Sequence, residues 1–163
     1  MIYLGTCYIL KCYLTEPGSP EVRELVDAAD GVASSIHARV EFAAAVHRHF
    51  RENRLTAAEF TGVLDVFEAD CAAGYWHWLE LEHDVIQLAE ATFRSLTNTV
   101  FIRAADAIHL ASTRKHGFNE IHSSDKHLLL AATAFGVRGH NCPAKSQRES
   151  TGYVDHIPKS VLD

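Results

Sequence analysis

The chain has 163 residues, 47% hydrophobic and 22% charged, which suits one compact domain with its own core and is too short for two of ordinary size. Its net charge of −6, from 21 acidic against 15 basic residues, argues against a broad basic face for non-specific nucleic-acid binding, because such binding neutralises phosphates. No apolar run approaches a membrane span and the first residues show no basic-then-apolar leader, so a soluble cytoplasmic protein is expected.

Residues 2–4 (IYL) read as a short apolar strand, and 6–14 (TCYILKCYL) as a brief helix stopped by Pro17-Gly18. From Ser19 to Asp30, Val22, Leu25, Val26 and Ala29 recur at helical spacing behind Pro20, and Gly31 closes that helix. VASS (32–35) is a second buried strand, with Ser35 as N-cap of a helix to about Asn53 that turns Ile36, Val40, Ala43, Ala44 and Phe50 inward. Thr56 and Glu59 form a capping box that starts a helix through Val63, Leu64, Phe67 and Cys71.

WHWLEL (76–81) is a candidate third strand, followed by a helix from about Asp84 to Leu96 on Val85, Leu88, Ala89 and Phe93. RAADAIHLASTRK (103–115) is a helix ended by Gly117, EIHSS (120–124) a strand, DKHLLLAATAF (125–135) a helix, and VRG (137–139) a last short strand. Short apolar strands alternating with helices predict an α/β sandwich with a central parallel sheet. The domain is expected to span 1–141, with a polar tail at 142–163 where periodicity ends.

Cys7, Cys12, Cys71 and Cys142 form no CxxC pair, so buried free thiols are expected. The eleven histidines match no zinc pattern, and His47 and His49 are two apart on one helix and cannot share a face. Three acids stand out: Glu41 early in the helix after the second strand, Asp106 in the first turn of 103–115, and Asp125 directly after EIHSS. In a parallel sheet, helix N-termini that follow strands gather at the carboxyl edge, where Glu41 and Asp125 should meet. Asp106 joins them if its helix starts at the same edge. Each also has a structural role open to it: N-capping for Asp125, the helix dipole for Asp106, and pairing with Arg39 for Glu41. Carboxylates gathered at one edge repel, and a cation such as magnesium, which takes oxygen ligands, relieves that repulsion.

MIYLGT at the start, RVEF (39–42), ADAIHLA (105–111) and SSDKHLL (123–129), in this order and spacing, resemble the PIN domain, and most closely the VapC toxins of bacterial VapBC toxin–antitoxin pairs. The resemblance covers about residues 1–140. It implies a PIN-like α/β/α sandwich and a Mg²⁺- or Mn²⁺-dependent endoribonuclease that hydrolyses RNA. It further implies inhibition by a VapB-like antitoxin and assembly as a homodimer. By position, Glu41, Asp106 and Asp125 match the family's metal-binding catalytic acids. Thr6 and Ser123 match its supporting hydroxyl residues. Arg103, one turn before Asp106, is a candidate for holding substrate phosphate, and His109 is expected to pack or support rather than to ligate.

The departure is Gly5, which stands where the family usually has an aspartate at the end of the first strand. Three acids can still hold a hydrated ion, yet the loss of the fourth predicts impaired RNA cleavage by this chain. The alternative is a non-catalytic PIN-fold module that binds antitoxin or RNA. An unrelated phosphohydrolase with an aspartate nucleophile is disfavoured, because Gly5 removes that aspartate and no Gly-rich phosphate loop appears. Apolar residues beyond one narrow stripe on the helices at 36–53 and 56–73, among them Phe42, Phe60 and Phe67, suggest either a partner surface or simple packing on the sheet.

Overall fold

A computed structural model describes residues 1–142. The elements run β1 (Ile2–Tyr3), α1 (Thr6–Tyr13), α2 (Ser19–Asp27), β2 (Val32–Ser35), α3 (Ala38–Arg51), α4 (Ala57–Ala72) and β3 (Trp76–Leu79). They continue with α5 (His83–Ser95), α6 (Ala104–Lys115), β4 (Glu120–His122), α7 (Lys126–Ala131), a 3₁₀ turn (Ala132–Phe135) and β5 (Arg138–His140). The tail expected over 142–163 lies, apart from Cys142, outside the described residues.

Every strand pairing is parallel. β2 is flanked by β1, with Ile2 opposite Val32, and by β3, with Val32 opposite Trp76; β4 pairs with β5, Glu120 opposite Arg138. A lone bridge from Leu4 to His122 joins the two sets edge to edge, and the Gly5 amide donates to the His122 carbonyl at 2.9 Å. The spatial order is therefore β3-β2-β1-β4-β5, a central parallel sheet with helices on both faces, and β1 lies in the middle.

The period-2 alternation of strands divides the core in two. Leu4, Val32 and Trp76 face α1 to α4, whereas Tyr3, Ala33, Leu79 and Ile121 face α5 to α7. On the first face, Phe42 of α3 and Phe67 of α4 stack at 3.9 Å between ring centroids, and Tyr13 meets both edge-on. The Tyr13 hydroxyl accepts from the Trp76 indole at 2.8 Å and donates to Asp70 at 2.6 Å, which satisfies a polar group set among aromatic rings. Phe42 and Phe67 are thus core residues, while Phe60 stacks on Phe50 at the outer margin of the two helices.

Local chemistry sets most boundaries. Gly18, at φ 87°, takes the left-handed turn before α2, and Thr56 with Glu59 forms the full capping box of α4. Two expectations for α3 are corrected. The helix starts at Ala38, and Ser35 does not cap it: the Ser35 hydroxyl bonds His37 Nδ1 at 2.8 Å. The buried stripe runs Ala38, Phe42, Val46, His49, so Val40 (73% exposed), Ala43, Ala44 and Phe50 face outward. Large Phe42 and Val46 decide the phase of the helix, and alanines fit either side. In α5, Thr92 joins Val85 and Ala89 inside and Phe93 turns out. Of the four thiols only Cys12 is buried; Cys7, Cys71 and Cys142 are half-buried.

Candidate active site

β1, β2 and β4 each deliver the chain to the carboxyl edge of the sheet, and α1, α3 and α7 start there. Thr6, Glu41, Arg103, Asp106, Ser123 and Asp125 line one cavity of about 160 Å³, together with Cys7, Ala105, His109 and Leu128. The structure therefore brings together all three acids named from sequence, both hydroxyl residues and Arg103. Asp106 arrives because α6 starts at this edge.

Each acid is held differently. Asp125 is the N-cap of α7: its Oδ1 accepts from the amides of His127 at 2.8 Å and Leu128 at 3.3 Å, and Oδ2 lies 3.5 Å from the Arg103 guanidinium. Arg103 is largely exposed at the mouth of the cavity and lies 5.8 Å from the Phe101 ring centroid. Among the described residues, Asp106 Oδ2 is buried with no hydrogen-bond partner. Burial, then the charge of Asp125, raises its pKa from the ordinary aspartate value; Glu41 adds to this, and the Arg103 amide and guanidinium oppose it.

Glu41 is the most engaged of the three and does not pair with Arg39. Its Oε2 accepts from the Thr6 hydroxyl at 2.5 Å and from His109 Nε2 at 2.9 Å, with His37 Nε2 3.6 Å away. Burial favours its neutral form, but the His109 hydrogen bond and charge outweigh burial, and with Thr6 they bring its pKa down to about 2. His109 is buried, and its Nδ1 meets the Tyr3 hydroxyl at 2.9 Å. A carboxylate only accepts, so Nε2 carries the ring proton; the Tyr3 oxygen accepts from the Ser35 amide at 3.2 Å and donates to Nδ1. His37 is pushed down to about 4, chiefly by burial and then by His109, with Glu41 and the Ala105 carbonyl opposing.

Three of these groups escaped sequence reading. His37 precedes Glu41 by four residues, the spacing of helix neighbours, and that signal was available. Tyr3 acts from the far face of the strand, behind His109. Cys7, next to Thr6, takes contacts from Ser123 Oγ at 3.2 Å and the Ser124 amide at 3.2 Å, and only the fold reveals that proximity.

Gly5 is the N-cap of α1 at φ −74°, ψ 158°, a conformation open to any residue, so its backbone does not require glycine. A Cβ there would meet Ser123 Oγ at 3.3 Å and Ser123 Cβ at 3.4 Å. Position 5 thus faces the serine that lines the cavity, and a side chain requires Ser123 to give by a few tenths of an ångström. Ser123 is itself buried and bonded to the Asp125 amide at 3.1 Å.

The donor set fits a divalent cation. The buried, unpartnered Asp106 oxygen and the mutual repulsion around it are liabilities that an oxygen-coordinated ion would relieve.

A parallel sheet with helices on both faces and acids converging from separate elements at its carboxyl edge is the class of protein defined here. The PIN domain profile matches residues 2–135, and the chain belongs to the PIN domain family. Among solved structures, it is similar to FitAB bound to an IR36 DNA fragment, with TM-score 0.65 and 20% identity over 86% of this chain and 94% of that one. It is similar to VapC20 of Mycobacterium tuberculosis, described as a sarcin-ricin loop cleaving toxin, with TM-score 0.63 and 16% identity over 85% of this chain and 99% of that one. VapBC2 of Rickettsia felis, bound to a DNA fragment from its promoter, matches with TM-score 0.59 and 13% identity over 86% and 98%. Sequence comparison with curated proteins finds no match. Among the described residues, no helix is long and apolar enough to cross a membrane.

Proposed function

We propose that the chain is a VapC-type endoribonuclease toxin of a type II toxin–antitoxin pair, using Mg²⁺ or Mn²⁺, with its activity impaired at Gly5. The observation that carries this reading is the convergence of Glu41, Asp106 and Asp125 on one cavity, with an Asp106 oxygen buried and unpartnered. Glu41, Asp106 and Asp125 would hold the ion, which when bound polarises the phosphodiester and lowers the pKa of water for in-line attack.

The chain's own groups do the rest. Thr6 and His109 fix the Glu41 carboxylate in one orientation and keep it ionised. Asp125 commits one oxygen to the α7 cap and presents the other beside Arg103, whose exposed guanidinium is placed to take an RNA phosphate. Ser123 orders the turn that sets Asp125. A cytoplasmic location, a VapB-like antitoxin and a homodimer belong to the same reading. It is supported by the neighbours solved as FitAB and VapBC2 with DNA and by the toxin VapC20.

The test compares the chain with its Gly5→Asp variant on RNA with Mg²⁺ or Mn²⁺. Restoring the carboxylate should raise cleavage roughly tenfold or more, each factor of ten being about 1.4 kcal/mol of barrier, and Gly5→Asp/Asp106→Asn should fall back to background. Equal activity of the two chains would show that position 5 is not the missing acid. No cleavage by either, with antitoxin still bound, would favour a non-catalytic PIN module.

A further inference from the structure

We propose that His37, Glu41 and His109 form a second cation site beside the carboxylate cavity, one that takes a nitrogen-preferring divalent transition ion of the zinc or cobalt class rather than magnesium. The donor atoms, His37 Nε2, Glu41 Oε2 and His109 Nε2, all lie within 4.8 Å of one another. His109 Nε2 is 2.9 Å and His37 Nε2 3.6 Å from the Glu41 oxygen. Tetrahedral coordination at about 2.0–2.1 Å per nitrogen or oxygen separates donors by roughly 3.4 Å, so these two edges straddle the spacing an ion would impose.

The rings are oriented from behind as ligating imidazoles are. His37 Nδ1 lies 2.8 Å from the Ser35 hydroxyl, and His109 Nδ1 2.9 Å from the Tyr3 hydroxyl. Among the described residues, His37 Nε2 is a buried atom without a well-formed hydrogen bond, the kind of group that a structure rarely leaves unsatisfied. Ligation by His109 requires only a change of tautomer. The ring proton moves from Nε2 to Nδ1, 2.9 Å from the Tyr3 oxygen, which accepts it as the Tyr3 proton turns away from the ring. The number of protons on the site is unchanged.

The donor chemistry sets the ion. Two imidazoles and one carboxylate suit zinc, cobalt or nickel, whereas magnesium takes oxygens and keeps its water. Three protein donors leave a fourth position open. The site shares Glu41 with the proposed nuclease centre but does not rest on its activity, since its ligands and its readout are its own.

The experiment is titration of the full chain with Co²⁺, followed by the visible absorption of the bound ion. One saturable equivalent is expected, retained under millimolar Mg²⁺ and in Asp106→Asn, and weakened at least about tenfold in Kd by His37→Ala, with circular dichroism confirming that the variant is folded. Glu41→Gln provides the second variant and should weaken binding similarly. The proposal is overturned by an absent Co²⁺ signal, by equal binding in His37→Ala, which would assign the ion to other histidines, or by displacement with Mg²⁺, which would place it on the carboxylates. Failure of Gly5→Asp to cleave RNA would leave this result untouched.

Discussion

His37 and Glu41 share one helix face and respond to acid in the same direction. His37 is pushed to about 4 in the folded chain, so between that value and its ordinary 6.5 the unfolded chain binds the extra proton and stability falls as pH falls. Glu41, held at about 2 against 4.5, has the same sign over its own, lower window. Asp106, whose pKa is raised, has the opposite sign and offsets part of the loss near its ordinary value. His122, lowered mainly by burial and then by His140, adds to the loss below pH 6.5. In chelator, the urea midpoint should therefore decline from pH 7 to pH 4, and His37→Gln should flatten the upper part of that decline. The same pH slope in His37→Gln as in the parent would mean that His37 titrates as it does in the unfolded chain. His37 was not legible as a site residue in the sequence, because its i, i+4 relation to Glu41 gains meaning only once the fold brings His109 beside both.

At the scale of elements, strand and helix succession was legible because period-2 and period-3.6 patterns, capping residues and Pro-Gly breaks all act locally. The capping box of α4 is such a signal, and it is present in full. Which face of α3 is buried was not legible, because Val40, Ala43, Ala44 and Phe50 compose a plausible stripe until α4 arrives to cover Phe42 instead. Tertiary packing chose between two apolar faces. That packing makes a specific claim about Phe67, which stacks on Phe42, meets Tyr13 edge-on and is 6% exposed. Phe67→Ala should cost about 3–5 kcal/mol by removing buried area and leaving a cavity, read as a lower urea midpoint at an unchanged m-value. Tyr13→Phe should cost less, about 1–3 kcal/mol, by leaving the Trp76 indole N–H without its acceptor. A loss below about 1 kcal/mol for Phe67→Ala would mean that α4 does not close this half of the core.

At the scale of the whole molecule, alternating strands and helices predicted a parallel sheet with helices on both faces, and the resemblance implied the same sandwich. The order β3-β2-β1-β4-β5 depends on a single long-range bridge from Leu4 to His122. That bridge puts Gly5 against the β4 end, with Ser123 next to its missing side chain. Gly5 was legible as a gap because its neighbours matched a known pattern; only the fold shows that its backbone would accept an acid. Placing aspartate there adds a fourth carboxylate to a cavity where Asp106 already resists ionisation because of burial and Asp125. Aspartate as N-cap gains only a few tenths of a kcal/mol over glycine, and the 3.3 Å approach to Ser123 gives nothing back. Gly5→Asp should therefore melt below the parent chain in chelator. With Mg²⁺ or Mn²⁺ the order should reverse: an ion present at a hundred times its Kd adds about 2.7 kcal/mol. For a chain of this size that corresponds to roughly 5–10 °C. The parent and Gly5→Asp/Asp106→Asn should each gain less, because each lacks one of the four carboxylates. Melting curves that move equally with metal in all three chains would remove position 5 from the cation's surroundings.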